Sequence, residues 1–203
     1  MIKKILTSFL FSVALSSTVI AAPLTYTVQP GDSMWKIAVK NEVGLSELIS
    51  LNPTLKNPSL IYPGQKIQVP NMTDVKTQEK EVIRLVNIER SKVGLRPLTA
   101  HWELSRVARY KSADMANKNY FSHISPTYGS PFFMMENFGM RFSSGGENIA
   151  KGQRTPQEVM NGWMNSPGHK ANILSANFTH IGVGLARDKN GVPYWTQMFM
   201  KPL

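Results

Sequence analysis

YTVQPGDSMWKIAVKNEVGLSELISLNPTLKNPSLIYPGQKIQVP, residues 26–70, can be read element by element. Tyr26 to Val28 is a short β-branched run that Pro30 and Gly31 interrupt, a strand running into a turn. Asp32 or Ser33 can cap the helix that follows, with Trp35, Ile37 and Ala38 as its apolar positions. After Gly44, Ser46 is an N-cap candidate for a second helix carrying Leu48, Ile49 and Leu51, which Asn52 and Pro53 end. Tyr62, Pro63 and Gly64 turn the chain into Lys66–Val69, an alternating strand. The order is strand, helix, helix, strand. A unit of about 45 residues has a marginal core, which suits a compact binding module better than a catalytic cleft.

Upstream, Lys3 and Lys4 precede an apolar run from Ile5 to Ile20 that ends in Ala21 and Ala22. This is the pattern of a secretory signal peptide, residues 1–22, with cleavage after Ala21. An uncleaved anchor is the competing reading, although the run is short for the ~20 apolar residues a bilayer span needs. Downstream, Pro70 to Thr77 is polar and without period, so residues 71–79 are expected to be a linker.

The 203-residue chain has no cysteine, which excludes a disulfide scaffold and thiolate chemistry in an exported protein. Its net charge is +10. Without Lys3 and Lys4, 21 basic residues face 13 acids, a mature charge of +8. Most of the excess follows Met72. A basic exported protein suits an anionic wall polymer or a lipid surface, whereas no recognition motif points to nucleic acid.

From Glu79 the pattern turns helical. Val82, Leu85, Val86 and Ile88 form one stripe closed by Gly94, and Leu104, Val107, Ala108 and Met115 form a second between Trp102 and Lys118. Thr155 to Glu158 is a capping-box pattern with Pro156 at the first helical position, and Ser166 with Pro167 opens another helix in the same way. Two strands, His180–Ala186 and Pro193–Met200, are joined by a hairpin turn from Asp188 to Gly191. Helices with a terminal antiparallel hairpin indicate an α+β layered domain.

Several of these strings carry a resemblance. Residues 25–70 resemble a LysM domain through GDS (31–33), Asn52 with Pro53, and the closing YPGQKIQVP. Residues 80–203 resemble the CAP superfamily, named for cysteine-rich secretory proteins, antigen 5 and pathogenesis-related 1 proteins. The strings that carry it, in order, are YFSHISP (120–126), GENIA (146–150), WMNSPGHKANIL (163–174), FTHIGVGLA (178–186) and YWTQMF (194–199). The likeness is closest to the cysteine-free bacterial branch, and it implies an α-β-α sandwich after the small βααβ module.

The LysM resemblance implies binding of peptidoglycan or a related N-acetylglucosamine polymer. The implied groove has Gly31, Asp32, Ser33 and Met34 on one side and Asn57, Pro58, Ser59, Leu60 and Ile61 on the other. Met34, Leu60 and Ile61 can equally be packing a small core. The CAP resemblance implies a cleft lined by two histidines and two acids. His123, Glu147 and His169 match three of these, and Ser166 stands where eukaryotic members carry the second acid. Two imidazoles and a carboxylate are a donor set for a divalent metal such as Zn²⁺, or an acid–base pair, or a hydrogen-bonded group that stiffens the cleft. No catalytic residue is assigned.

The leading expectation is therefore a secreted, wall-associated binding protein without catalysis, for which vegetative wall and spore coat are both open settings. A metal- or His/Glu-dependent wall hydrolase is the competing class, and lipid binding a third. Ser33 and Lys36 form a chance S-x-x-K whose partner motifs are absent. Glu136 is a weak substitute for the missing acid, His101 and His180 read as surface or edge positions, and Met134 and Met135 read as core.

Overall fold

The computed structural model describes residues 22–203; the expected signal segment, apart from Ala22, lies outside the described residues. The first module runs β1 (Leu24–Thr27), α1 (Met34–Lys40), α2 (Leu45–Ser50), β2 (Lys66–Val69). β1 and β2 are antiparallel, with Leu24 opposite Val69 and Thr27 opposite Lys66. Val28, Met34, Ile37, Ala38, Val43, Leu48, Ile67 and Val69 make its core. Ser33 caps α1 by accepting from the Lys36 N–H at 3.2 Å, as expected.

Two expectations are corrected in this module. Trp35 is not a core position: the turn of α1 that places Met34, Ile37 and Ala38 inward leaves its indole 60% exposed. Helix α2 starts at Leu45 from Gly44, not from Ser46, because the Glu47 carboxylate reaches back to accept from the Gly44 N–H at 2.6 Å.

The expected linker is corrected as well. Helix α3 spans Thr73–Lys92, so most of residues 71–79 is its first two turns. Polar residues at 73, 74, 77 and 80 face solvent, while Val75 packs on the second module's core and Glu79 is buried, a pattern too sparse in apolar side chains to show a period. Beyond it come β3 (Thr99–Ala100), α4 (Trp102–Lys118), α5 (Pro131–Asn137), β4 (Phe142–Lys151), α6 (Pro156–Met164), α7 (Pro167–Ile173), β5 (His180–Arg187) and β6 (Pro193–Pro202). The sheet order is β3-β5-β6-β4, with only the β3–β5 pair parallel.

The alternation of β5 assigns the layers. Ile181, Val183 and Leu185 join Val82, Val86, Val159, Trp163 and Ile173, so α3, α6 and α7 cover one face. Gly182 and Gly184 point the other way, where a Cβ would lie 2.3 Å from the Leu104 carbonyl carbon and 2.1 Å from the Arg109 nitrogen. Helix α4 therefore rests directly on strand backbone, with Leu104, Val107 and Ala108 meeting Met198 and Met200. Met134 and Met135 of α5 fill the same layer, as expected. The result is an α-β-α sandwich.

Candidate functional site

The principal cleft, of about 520 Å³, opens beside β4 and is lined by His123, Ser166, His169 and Trp163 together with Phe121 and Ser122. His123 sits on the loop after α4, His169 within α7, and Ser166 at the N-cap of α7, where its hydroxyl makes no capping bond. Glu147 lies on β4 beneath them, with Oε1 2.7 Å from His123 Nδ1. The imidazole is about half exposed and the carboxylate almost fully buried. Burial raises the Glu147 carboxyl above its ordinary range, although the His123 hydrogen bond and the Lys111 charge act to lower it. Burial also depresses the His169 imidazole, and the neighbouring His123 adds to this.

Buried polar side chains hold these elements in place. Asn148 Nδ2 donates to the His169 carbonyl (3.0 Å) and to Gln197 Oε1 (3.1 Å). Asn172 Nδ2 donates to Asn148 Oδ1 (2.8 Å) and to the Glu147 carbonyl (3.2 Å), which fastens α7 to β4. The Trp163 indole N–H donates to the Ile149 carbonyl at 3.2 Å, bringing α6 to the same strand. On the other side, the fully buried Lys111 donates to the His123 carbonyl at 2.7 Å. Asp114 accepts from Tyr120 (2.7 Å), Ser125 (2.7 Å) and Thr127, pinning residues 120–127.

Sequence reasoning missed Lys111, Asp114, Asn148, Asn172 and β4 itself. The signal for the two asparagines is that each stands inside a string already carrying a cleft residue, GENIA and PGHKAN. Ser125 is bound to Asp114 and belongs to no triad. Glu136 is exposed on α5 and outside the cleft. His101 caps α4, its Nδ1 accepting from the Leu104 N–H at 3.3 Å, and its ring stands edge-on to His180 at 5.9 Å.

Chemically, Glu147 orients His123 and leaves Nε2 for the cleft. The expected three-ligand metal set is not assembled. Among the described residues no group of three or more His, Asp or Glu side chains could hold one ion, because Glu147 backs His123 through Nδ1 instead of standing beside it.

In the first module the antiparallel pairing brings the loop leaving β1 and the loop entering β2 to the same end. Of the expected groove residues, Met34 is core and Ile61 packs against it. Asp32 organises its own loop by accepting from the Tyr26 hydroxyl (2.8 Å) and the Gln29 N–H (2.7 Å), and the Asn57 side chain accepts from the Ser59 N–H (3.0 Å). Gly31, Ser33, Ser59 and Leu60 are exposed and Pro58 is half-buried. Trp35 and Tyr62, which immediately follow the two expected sets, are both 60% exposed.

The profile of the cysteine-rich secretory protein family, CAP, matches residues 83–199. The chain belongs to this family. The LysM profile matches residues 26–70, so a LysM domain precedes the CAP domain. The protein YkwD of Bacillus subtilis (strain 168) is 56% identical over 128 residues, 63% of this chain and 49% of its own length; the chain thus spans about half of that relative. The LysM segment is 47% identical over 45 residues to an endolysin of Bacillus phage B103, 22% of this chain and 17% of the endolysin. A crystal structure of an extracellular protein containing an SCP domain, from Bacillus anthracis str. Ames, superposes with a TM-score of 0.59 at 32% identity, covering 68% of this chain and 47% of that one. Among the described residues no helix is long and apolar enough to cross a membrane.

Proposed function

We propose that the protein is exported to the cell wall, where the LysM domain tethers it to the glycan of peptidoglycan and the CAP cleft receives a second ligand without turning it over. The observation that carries the tether is the pair of exposed aromatics, Trp35 and Tyr62, beside loops that emerge together at one end of the β1–β2 ribbon. Apolar rings left in solvent beside backbone-rich loops suit a sugar, whose C–H faces cover rings while its acetamido group bonds to main chain. The phage endolysin's likeness over this segment supports the same target. The surplus of basic residues adds attraction to anionic wall polymers.

The test is sedimentation of the mature protein with purified peptidoglycan. Deleting residues 25–70 is expected to abolish pelleting, while the His123→Ala/His169→Ala double variant is expected to pellet like wild type. Pelleting that survives the deletion overturns the tether. Hydrolysis is a second reading with one observation behind it, the carboxylate-oriented imidazole at the cleft. It requires wall-fragment release that stops in both His123→Ala and Glu147→Gln.

A further inference from the structure

The cleft runs along the open edge of the CAP sheet. In the order β3-β5-β6-β4, β4 is paired on one side only. Phe121 and His123 wall the cleft from the loop after α4, Val159 and Trp163 wall it from α6, and Ile149 to Lys151 of β4 lie between them. The strand ladder decides which main-chain groups face it. Ile149 stands opposite Thr196 and Lys151 opposite Tyr194, and one residue further the Gly152 N–H donates to the Pro193 carbonyl at 2.8 Å. Hydrogen-bonded pairs alternate along an antiparallel ladder, so Asn148 and Ala150 bond to β6 while Glu147, Ile149 and Lys151 turn their N–H and C=O groups outward. Accordingly, the Glu147 and Ile149 carbonyls are the ones that accept from Asn172 and Trp163.

Edge amides elsewhere in the sheet are closed by side chains. Beyond the short β3, the Val183 and Leu185 N–H groups of β5 donate to Ser105 Oγ and to the Glu79 carboxylate, both at 3.1 Å. On β4, among the described residues, the outward N–H groups of Ile149 and Lys151 have no such partner. These two donors are two residues apart, about 7 Å, which is the repeat of an extended chain. A strand laid in the trough offers carbonyls at the same repeat and sends its side chains alternately to the two walls. The charge of the lining is one-sided. Lys151, His123 and His169 border the cleft and no carboxylate does. Among the described residues Lys151 has no ion-pair partner.

We propose that the ligand of the cleft is an extended acidic peptide segment that adds to the sheet as a strand beside β4, its carbonyls accepting from the Ile149 and Lys151 N–H groups and its carboxylate facing Lys151 and the two histidines. This rests on the binding reading of the cleft given above and narrows its ligand to a peptide. The paired stretch is short, because Gly152, at φ +97°, takes the chain out of extended geometry.

The test is amide hydrogen exchange of the mature chain, read residue by residue by NMR, with and without millimolar acetyl-Ala-Val-Glu-Val-Ala-amide. The Ile149 and Lys151 amides are expected to exchange at least tenfold more slowly with the peptide present, and the Ala150 amide, bonded to β6, to be unchanged. In a strand, alternate residues face β4, so N-methylating both valines or, separately, the glutamate and the last alanine should abolish binding in only one of the two peptides. Lys151→Pro deletes the outward N–H at an edge position that accepts proline, and should bind roughly three- to tenfold more weakly than Lys151→Ala, which keeps it. If Lys151→Pro does not fold, the methylated pair decides alone. The proposal is overturned if the two amides are unaffected, if both methylated peptides bind or neither does, or if Lys151→Pro binds as Lys151→Ala does. Slowing of these amides by an N-acetylglucosamine tetramer in place of the peptide overturns the peptide but keeps the cleft as a binding site; no effect of either overturns both.

Discussion

Glu79, on α3, is only 3% exposed, and its carboxylate accepts from Arg109 Nε at 2.9 and 3.1 Å and from the Leu185 N–H at 3.1 Å. Burial nevertheless raises it from 4.5 to about 7, against the opposing pull of Arg109 and these hydrogen bonds. Between those two values the folded protein holds a proton that the unfolded chain has released. Unfolding free energy therefore falls as pH rises through that window, and the stability Glu79 confers is complete only below 4.5. At roughly 1.4 kcal/mol per pH unit the gap from 4.5 to about 7 is worth ~3 kcal/mol. Glu147, also raised by burial, acts in the same sense, and the depressed His101 and His169 act in the opposite sense below 6.5. The Glu79 contribution is isolated by comparing wild type with Glu79→Gln, which keeps an acceptor for both neighbours. Urea denaturation at pH 4 and pH 8 should show the difference in unfolding free energy, wild type minus variant, falling by ~3 kcal/mol between them. A difference constant to within about 0.5 kcal/mol would mean that Glu79 titrates near its ordinary 4.5 in the folded protein and that the Arg109 ion pair offsets burial here.

Other consequences are equally direct. Gly184→Ala would place a Cβ 2.1 Å from the Arg109 nitrogen, so α4 must lift from β5; a loss above about 3 kcal/mol is expected in urea denaturation, whereas Gly162→Ala, with nothing nearer than 3.9 Å, should be neutral or stabilise by up to ~1 kcal/mol. Asp114→Asn keeps the volume but weakens the acceptor shared by Tyr120, Ser125 and Thr127; hydrogen exchange across residues 120–127 should quicken while β5 and β6 stay protected. Trp35→Ala and Tyr62→Ala remove exposed rings, so each should leave the thermal midpoint within a few degrees of wild type yet reduce the fraction pelleting with peptidoglycan.

Much of this fold was legible because its helix boundaries are written in caps and stripes. Trp102–Lys118 is read correctly to both ends, and Thr155 with Pro156 announces α6, the Thr155 hydroxyl accepting from the Glu158 N–H at 3.1 Å. What was not legible depends on partners distant in sequence. β4 begins FSSGGENIA, a run too rich in Gly, Ser and polar residues for strand propensity; pairing with β6 from Phe142 to Lys151 forms it. The cleft was legible only in part. His123, Ser166 and His169 do line one cavity, but the sequence could not show that Glu147 stands behind His123, since the separation of 24 residues spans a loop, α5 and half a strand. Lys111 and Asp114 were invisible for a related reason. On a helix they read as solvent-facing charges, and only the loop folding over α4 buries them.

The burial of those charges bears on what the cleft can do. Glu147 Oε1 is spent on His123, but Oε2 is buried with no partner. Lys111 below, itself depressed by burial, biases Glu147 toward ionisation, whereas desolvation biases it toward the acid, and desolvation is the larger effect. The orphaned oxygen is thus an acceptor when Glu147 is ionised and carries a donor when it is protonated. Because Oε2 is sealed from the cleft, a ligand meets the charge state of Glu147 through the imidazole bonded to Oε1 and not by direct contact. The rest of the frame, Asn148, Asn172 and Trp163, does not titrate. Any pH dependence that enters the cleft through Glu147 therefore reaches a ligand by way of the His123 ring that Glu147 holds.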